Sequence, residues 1–274
     1  MKIALIGAGG KMGVRLSRNL KGSRYDVAHV EVSTVGRNRL KSEVGADCVD
    51  LDEALNGSRA VILAVPDTAI GNVSRAIIDK LAPGTIMIAL DAAAPFAGHF
   101  PERDDVTYFV THPCHPPIFN DETELPSKRD YFGGIAAKQA IVSALMQGPE
   151  DDFEIGEEIA KTIFQPILRS HRVTVEQMAL LEPGLSETVC ATLLVVMKEA
   201  MDEVVRQGVD RQAARDFLLG HLNILGAVVM EEIDGVFSDA CNKAISNGKT
   251  RLMRDDWIGV FSPEEIKESI RQIT

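Results

Sequence analysis

A parallel α/β domain followed by an all-α domain is the fold class this sequence predicts, and three observations carry it. The chain opens with an apolar strand that runs straight into a glycine cluster, Gly7, Gly9, Gly10 and Gly13. Short, nearly continuous apolar segments then alternate with helical patterns up to about residue 112, as strands of a parallel sheet covered on both faces do. After Pro126 the alternation fades and long stretches at helical spacing take over.

Residues 2–6 form the first strand, and a helix over 12–20 follows the glycine turn. The second strand spans 26–32. Residues 46–47 make a weak short strand, and 51–55 start a helix that Asn56-Gly57 ends. Residues 59–65 are a strong strand stopped by Pro66. Residues 70–81 place Val73, Ile77, Ile78 and Leu81 on one helical stripe, which Pro83-Gly84 breaks. Strands follow at 85–91 and 106–111, the latter ending at His112. Residues 134–146 form a short apolar segment, and 151–164 an amphipathic helix carrying Ile155, Ile159 and Ile163. Pro183-Gly184 punctuates the chain before a long helix over 187–206 and another over 212–233. Internal Gly220 and Gly226 cost that last helix about 1 kcal/mol each unless a second helix crosses closely there. The boundary falls between residues 130 and 150, giving a Rossmann-type domain over 1–135 and a helical domain over 136–274.

Composition narrows the function classes. Hydrophobic residues at 45% fill a substantial core, and the formal net charge of −11 argues against nucleic acid or an anionic membrane as partner. The apolar runs fall short of a membrane span. Cys48, Cys114, Cys190 and Cys241 are scattered without a C-x-x-C pair, so free thiols in a reducing, cytoplasmic setting are expected. The Leu, Val and Met load of the helical part points to a homodimer interface there; a filled monomer core is the alternative.

A strand, a glycine turn and a helix start suit a nucleotide pyrophosphate, because glycines allow close approach and the helix N-terminus offers N–H donors. Gly7, Gly9, Gly10, Lys11, Met12 and Gly13 are therefore candidate cofactor-binding residues. Their spacing is a variant of G-x-G-x-x-G, with one extra residue before the last glycine. Glu31, 18 residues after Gly13, sits where a carboxylate accepts hydrogen bonds from a ribose diol. It favours NAD over NADP, although Arg37 nearby could serve a phosphorylated ribose. Val65 and Pro66, at a strand end facing the ligand crevice, can pack beside the nicotinamide. Asp91 closes the next strand in the same topological position.

Thr111-His112-Pro113-Cys114-His115-Pro116-Pro117 is the densest polar signal. Prolines stiffen a segment holding two imidazoles, which suits a base, a substrate clamp or a metal ligand. In the helical half, Glu182 and Glu187 flank Pro183-Gly184, and with His115 they could hold Mg²⁺, Mn²⁺ or Zn²⁺. Lys243 can bind a substrate carboxylate or move a proton. His221, Asn223, Asn242, Arg251 and Arg254 are lesser candidates.

The turn at 7–13, the strand end at 64–67, Thr-His-Pro-Cys-His-Pro-Pro-Ile-Phe at 111–119 and Leu-Glu-Pro-Gly-Leu-Ser-Glu-Thr at 181–188 together resemble the D-apionate oxidoisomerase family. That family is related to decarboxylating 6-phosphogluconate dehydrogenases and ketol-acid reductoisomerases. The resemblance implies an NAD-dependent enzyme of branched sugar-acid catabolism with a Rossmann domain and a dimerising helical domain. Its reaction oxidises the C2 hydroxyl of D-apionate and moves the carboxylate to the neighbouring carbon, giving 3-oxo-isoapionate. Carried over, residues 9–13 and Glu31 bind the dinucleotide, and His115 with Glu182 or Glu187 forms the cation site. His112 then serves substrate binding or proton transfer, and Lys243 the substrate carboxylate or a base. The alternatives are a plain NAD(P)-dependent hydroxy-acid or prephenate-like dehydrogenase without migration, and a non-catalytic dinucleotide-binding regulator.

Overall fold

The structure is a computed structural model that describes residues 1–273. Seven strands form one sheet: β1 (Lys2–Ile6), β2 (Asp26–Val30), β3 (Ala60–Leu63), β4 (Ile86–Ala89), β5 (Thr107–Pro113), β6 (Gln139–Gln147) and β7 (Ile167–Arg172). Their order is β2-β1-β3-β4-β5-β6-β7. Strands β1 to β5 pair in parallel, β6 runs antiparallel to β5, and β7 runs parallel to β6. The connections carry α1 (Lys11–Leu20), α2 (Thr34–Val44), α3 (Leu51–Leu55), α4 (Asp67–Ile77), α5 (Ala93–Phe96), α6 (Leu125–Lys128) and α7 (Asp151–Ile163). Successive strand residues feed opposite cores. Ile3, Leu5, Ile62, Ile88 and Phe109 pack on one face, and Ala4, Ile6, Leu63, Met87 and Val110 on the other. Burial on both faces is why these strands read as unbroken apolar runs.

After β7 come α8 (Val175–Ala179), wide helical turns over Leu180–Ala191, then α9 (Thr192–Arg206), α10 (Arg211–Val229), α11 (Asp239–Leu252) and α12 (Pro263–Ile273). Thr174 and Gln177 start α8 with a reciprocal capping box. Glu182 leaves the helical conformation (φ −135°, ψ 112°) just before Pro183. Pro restricts its predecessor to extended backbone, so the kink falls on Glu182 for a local reason.

The chain divides into two compact units, Met1–Glu182 with the chain from Lys267 onward, and Pro183–Ile266. The expected boundary at 135 and this division differ because the sheet continues past residue 135. Two expectations are corrected. The segment after 135 is mostly rather than wholly helical, since β6 and β7 lie in it. Strand β6 is buried over most of its length, and a short apolar run buried on both faces carries no alternation to tell strand from helix. Strand β7 ends the sheet, has no fully buried residue and reads as polar. The second correction is α2, which the apolar pattern misses because only Gly36, Leu40 and Val44 are buried. Its signal lies in its caps. The Ser33 hydroxyl accepts from the Gly36 N–H, and Gly45 closes the helix at φ 74°.

Apolar runs that look too short for a membrane span join into one helical stretch in the structure. Val175–Arg206 has 32 residues and a window of mean hydropathy 1.5, long and apolar enough to cross a membrane, with 11% of that window buried. Among the described residues, α9 has none buried. Val195 is 57% exposed, and Phe217 on α10 is 69% exposed.

Candidate active site

The glycine turn is built by close backbone approaches. Gly7 takes φ 82°, and a Cβ there would lie 2.3 Å from the Ala64 carbonyl oxygen. A Cβ on Gly13 would lie 2.1 Å from the Gly7 oxygen. These contacts lock the turn against the ends of β1 and β3, beside Val65 and Pro66. Gly10 is the N-cap of α1 and has no side chain to cap it, and the first turn of the helix holds no acidic residue. First-turn N–H groups lack helical acceptors, so this end fits an anion such as a pyrophosphate.

Glu31 is buried at the end of β2. Its carboxylate accepts from the Gly9 N–H at 3.0 Å and the Ser33 N–H at 2.8 Å, one on each oxygen. Each oxygen keeps a second lone pair, so the group can still accept from a ribose diol. Arg37 donates from Nε to the Glu31 backbone carbonyl at 2.6 Å, and Arg39 donates to the Gly9 carbonyl at 3.0 Å. Replacing Glu31 with Ala is expected to weaken NAD by roughly 1–3 kcal/mol. Titration calorimetry with NAD and NADP checks this, and an unchanged NAD affinity would remove Glu31 from the site.

Asp91, His112 and Glu182 form the polar centre of the first unit. Each is half-buried, and one potential ligand atom from each lies within 4.8 Å of the others. His112 is the last residue but one of β5, and its Nδ1 lies 2.8 Å from the Leu90 carbonyl and 3.5 Å from Asp91 Oδ2. A carbonyl only accepts, so Nδ1 carries the proton and Nε2 keeps its lone pair. Asp91 Oδ1 accepts from the Ala93 N–H at 2.7 Å, which fixes the carboxylate at the start of α5. Two carboxylates and one imidazole are a donor set that fits a divalent cation. His115 sits beside this group, its ring centroid 6.1 Å from that of His112 and nearly perpendicular to it.

Asp67, at the first position of α4, feels the same centre. Burial and the neighbouring Asp91 charge push its carboxyl up to about 6, against the pull of His112. The folded chain therefore holds a proton that the unfolded chain releases near pH 4. The resulting stability is fully present below pH 4 and lost as pH rises through about 6. Asp67→Asn stays neutral, so in cation-free buffer its Tm should gain on the parent between pH 4 and pH 7. Parallel Tm curves would contradict this.

Thus Glu182 lies with His112 and His115 lies beside His112, all in the first unit, while Glu187 and Lys243 belong to the second. Lys243 is exposed on α11. In the sequence Asp67 falls within the strand end at 64–67 without a role of its own, and Asp91 stands out only by its position. Their shared signal is an aspartate at the C-terminal end of a parallel strand, where this fold places its ligands.

Residues 2–96 match the NAD binding domain of 6-phosphogluconate dehydrogenase, and residues 120–274 the phosphogluconate dehydrogenase (decarboxylating) C-terminal family. The chain is 70% identical over 272 residues to a D-apionate oxidoisomerase of Rhizobium rhizogenes, covering 99% of both. It is 41% identical to one from Blautia hydrogenotrophica, covering 98% of this chain and 94% of that protein. A crystal structure of a semialdehyde dehydrogenase NAD-binding protein from Cupriavidus necator, in complex with calcium and NAD, superposes with a TM-score of 0.99. It is 68% identical, covering 100% of this chain and 99% of that one. An NADH-preferring ketol-acid reductoisomerase from an uncultured archean, 16% identical with a TM-score of 0.68 over 99% of this chain and 81% of its own, shares the fold.

Proposed function

The chain belongs to the D-apionate oxidoisomerase family, and from that premise we propose that it is an NAD-dependent oxidoisomerase converting D-apionate to 3-oxo-isoapionate. The observation that carries this reading is the donor cluster Asp91, His112 and Glu182 in the same unit as the glycine turn, in a chain 70% identical to a D-apionate oxidoisomerase. The work is split between hydride transfer, which the turn serves by holding the dinucleotide, and skeletal migration, which needs a polarised carbonyl.

When bound, NAD would accept the C2 hydride, and a divalent cation would polarise the new ketone and acidify the adjacent tertiary hydroxyl. The carbon bearing that hydroxyl already has three carbon substituents, so the group that moves is one of its hydroxymethyl groups, to C2, rather than the carboxylate expected from the sequence, and the alkoxide becomes the C3 ketone. His115 and Glu182 are the proposed cation ligands, with Asp91 as a further donor and Glu187 as the alternative carboxylate. His112, its Nδ1 proton committed to Leu90, uses Nε2 to receive the proton of the C2 hydroxyl. Lys243 is assigned to the substrate carboxylate or to a base role. Residues 1–135 are assigned to the dinucleotide, and residues 136–274 to substrate binding and dimerisation.

Turnover of D-apionate labelled with ¹³C in its hydroxymethyl groups tests the proposal. One labelled hydroxymethyl group should be found on the former C2, beside the carboxylate, with NADH formed in equal amount. A product with an intact skeleton would make the chain a plain dehydrogenase, and NAD binding without turnover would make it a regulator.

We also propose a homodimer through the helices of the second unit, in the cytoplasm. Leu194, Val195, Phe217, Ile224 and Val229 on α9 and α10 are 48–69% exposed, a larger apolar load than single scattered surface residues. Light scattering at micromolar concentration should give twice the chain mass; a monomer would refute the dimer.

A further inference from the structure

Asp130 lies outside every role given so far, yet it is buried, 7% exposed, and its carboxylate accepts four backbone N–H groups. Oδ1 takes Gly133 at 3.0 Å, and Oδ2 takes Ile135, Ala136 and Ala137 at 3.0, 2.8 and 3.2 Å. A buried carboxylate is costly to desolvate, so four donors aimed at it make the 130–137 loop adopt one shape. That shape has a consequence at the neighbouring histidine. The Gly133 N–H and the Phe132 carbonyl belong to one planar trans peptide, so the two groups point in opposite directions. Asp130, by gripping the N–H, aims the carbonyl away from itself. The Phe132 carbonyl oxygen lies 2.8 Å from His115 Nδ1.

Arg15 holds the next peptide from the other side. Its Nη1 donates to the Gly133 carbonyl at 2.9 Å, and its guanidinium lies 4.1 Å from the centroid of the Phe132 ring. The Phe132 ring in turn packs against the His115 ring, centroids 4.8 Å apart. Gly133 sits at φ 81°, and a Cβ there would lie 2.4 Å from Gln139 Oε1, so the geometry requires glycine. His115 itself takes φ 61°, a left-handed conformation that a non-glycine residue keeps only when its surroundings hold it.

We propose that Asp130 and Arg15 are positioning residues that fix the Phe132–Gly133 peptide, and through it hold His115 with its proton on Nδ1 and its lone pair on Nε2. A carbonyl accepts and never donates, so the nitrogen it contacts must be the protonated one. The arrangement is a carboxylate–histidine pair with a peptide placed between its two halves, and such outer partners set ring orientation and tautomer. This rests on the functional reading above only in giving His115 work to do in catalysis.

Long-range ¹H–¹⁵N correlation spectra of the full chain, labelled at its 6 histidines and stripped of cations by chelator, test it directly. A His115→Asn spectrum identifies the His115 signals. The parent should show His115 as the Nδ1-protonated form alone, and a His115 protonated on Nε2 or averaging between forms overturns the proposal. Asp130→Asn keeps the shape but turns an amide N–H₂ toward backbone N–H donors. It should give mixed tautomers and a tenfold or larger fall in kcat, with NAD affinity unchanged within twofold. Arg15→Met loosens the Phe132 ring and the adjoining peptide without touching the buried carboxylate. It should move tautomer and kcat the same way by a smaller factor, and it keeps the test open if Asp130→Asn does not fold. An unchanged His115 tautomer in the variants overturns the proposal. Parent turnover of D-apionate, measured alongside, bears on the functional reading alone, because the tautomer is read without substrate.

Discussion

Replacing His115 with Ala is expected to lower turnover by roughly 10²–10⁴-fold, the size of a lost acid–base or electrophilic contribution, while NAD affinity stays within about twofold because the ring has no part in the dinucleotide site. Its Nδ1 is committed to the Phe132 carbonyl, so the side chain has one nitrogen with which to act. Glu182→Gln should produce a loss of the same order and lower the content of bound divalent cation, since the amide keeps the shape and removes the charge. Steady-state kinetics, NAD titration and elemental analysis on the same preparations separate these effects. A His115→Ala enzyme with full activity would exclude His115 from the chemistry. If elemental analysis finds no cation and exhaustive chelation leaves the parent rate intact, the cation assignment falls, and His115 becomes a metal-free acid, base or hydrogen-bond donor.

Gly13→Ala should be nearly as damaging, for a purely steric reason. The added Cβ would lie 2.1 Å from the Gly7 oxygen and 2.8 Å from the Ala8 backbone, and backbone on both sides leaves no flexible side chain to yield. The turn must open, at a cost of roughly 1–3 kcal/mol in stability, and the pyrophosphate cradle opens with it. NAD affinity should fall by roughly tenfold or more, which is about 1.4 kcal/mol. Calorimetry and thermal denaturation measure the two effects on one sample. Binding and Tm equal to those of the parent would show that the turn tolerates a side chain.

The dinucleotide half was legible because its signals are local. Strand β1 occupies the residues read from the sequence, and the start of α1 lies one residue from its expected place. The glycines explain themselves once the contacts they permit are seen. The polar centre was only half legible. His112 and His115 stand in one rigid segment, so they were found together. Asp67 and Asp91 stand alone among many aspartates, and only the folding of parallel strands brings their ends to one edge. Asp130 gave no sequence signal either, since its four partners are backbone N–H groups that every residue except proline carries.

The sequence by itself determined the order of the parallel strands' apolar segments, the glycine turn, the carboxylate of Glu31 after the second strand and the presence of a largely helical second half. These follow from periodicity and backbone restriction, which act within a few residues. Tertiary structure alone decided that the sheet runs on through β6 and β7, that Asp91 and Glu182 meet His112, and that a buried carboxylate at 130 governs the histidine at 115. Such relations depend on pairing register and on which backbone groups come within hydrogen-bonding distance after the chain has closed on itself. Distance along the sequence carries no record of them.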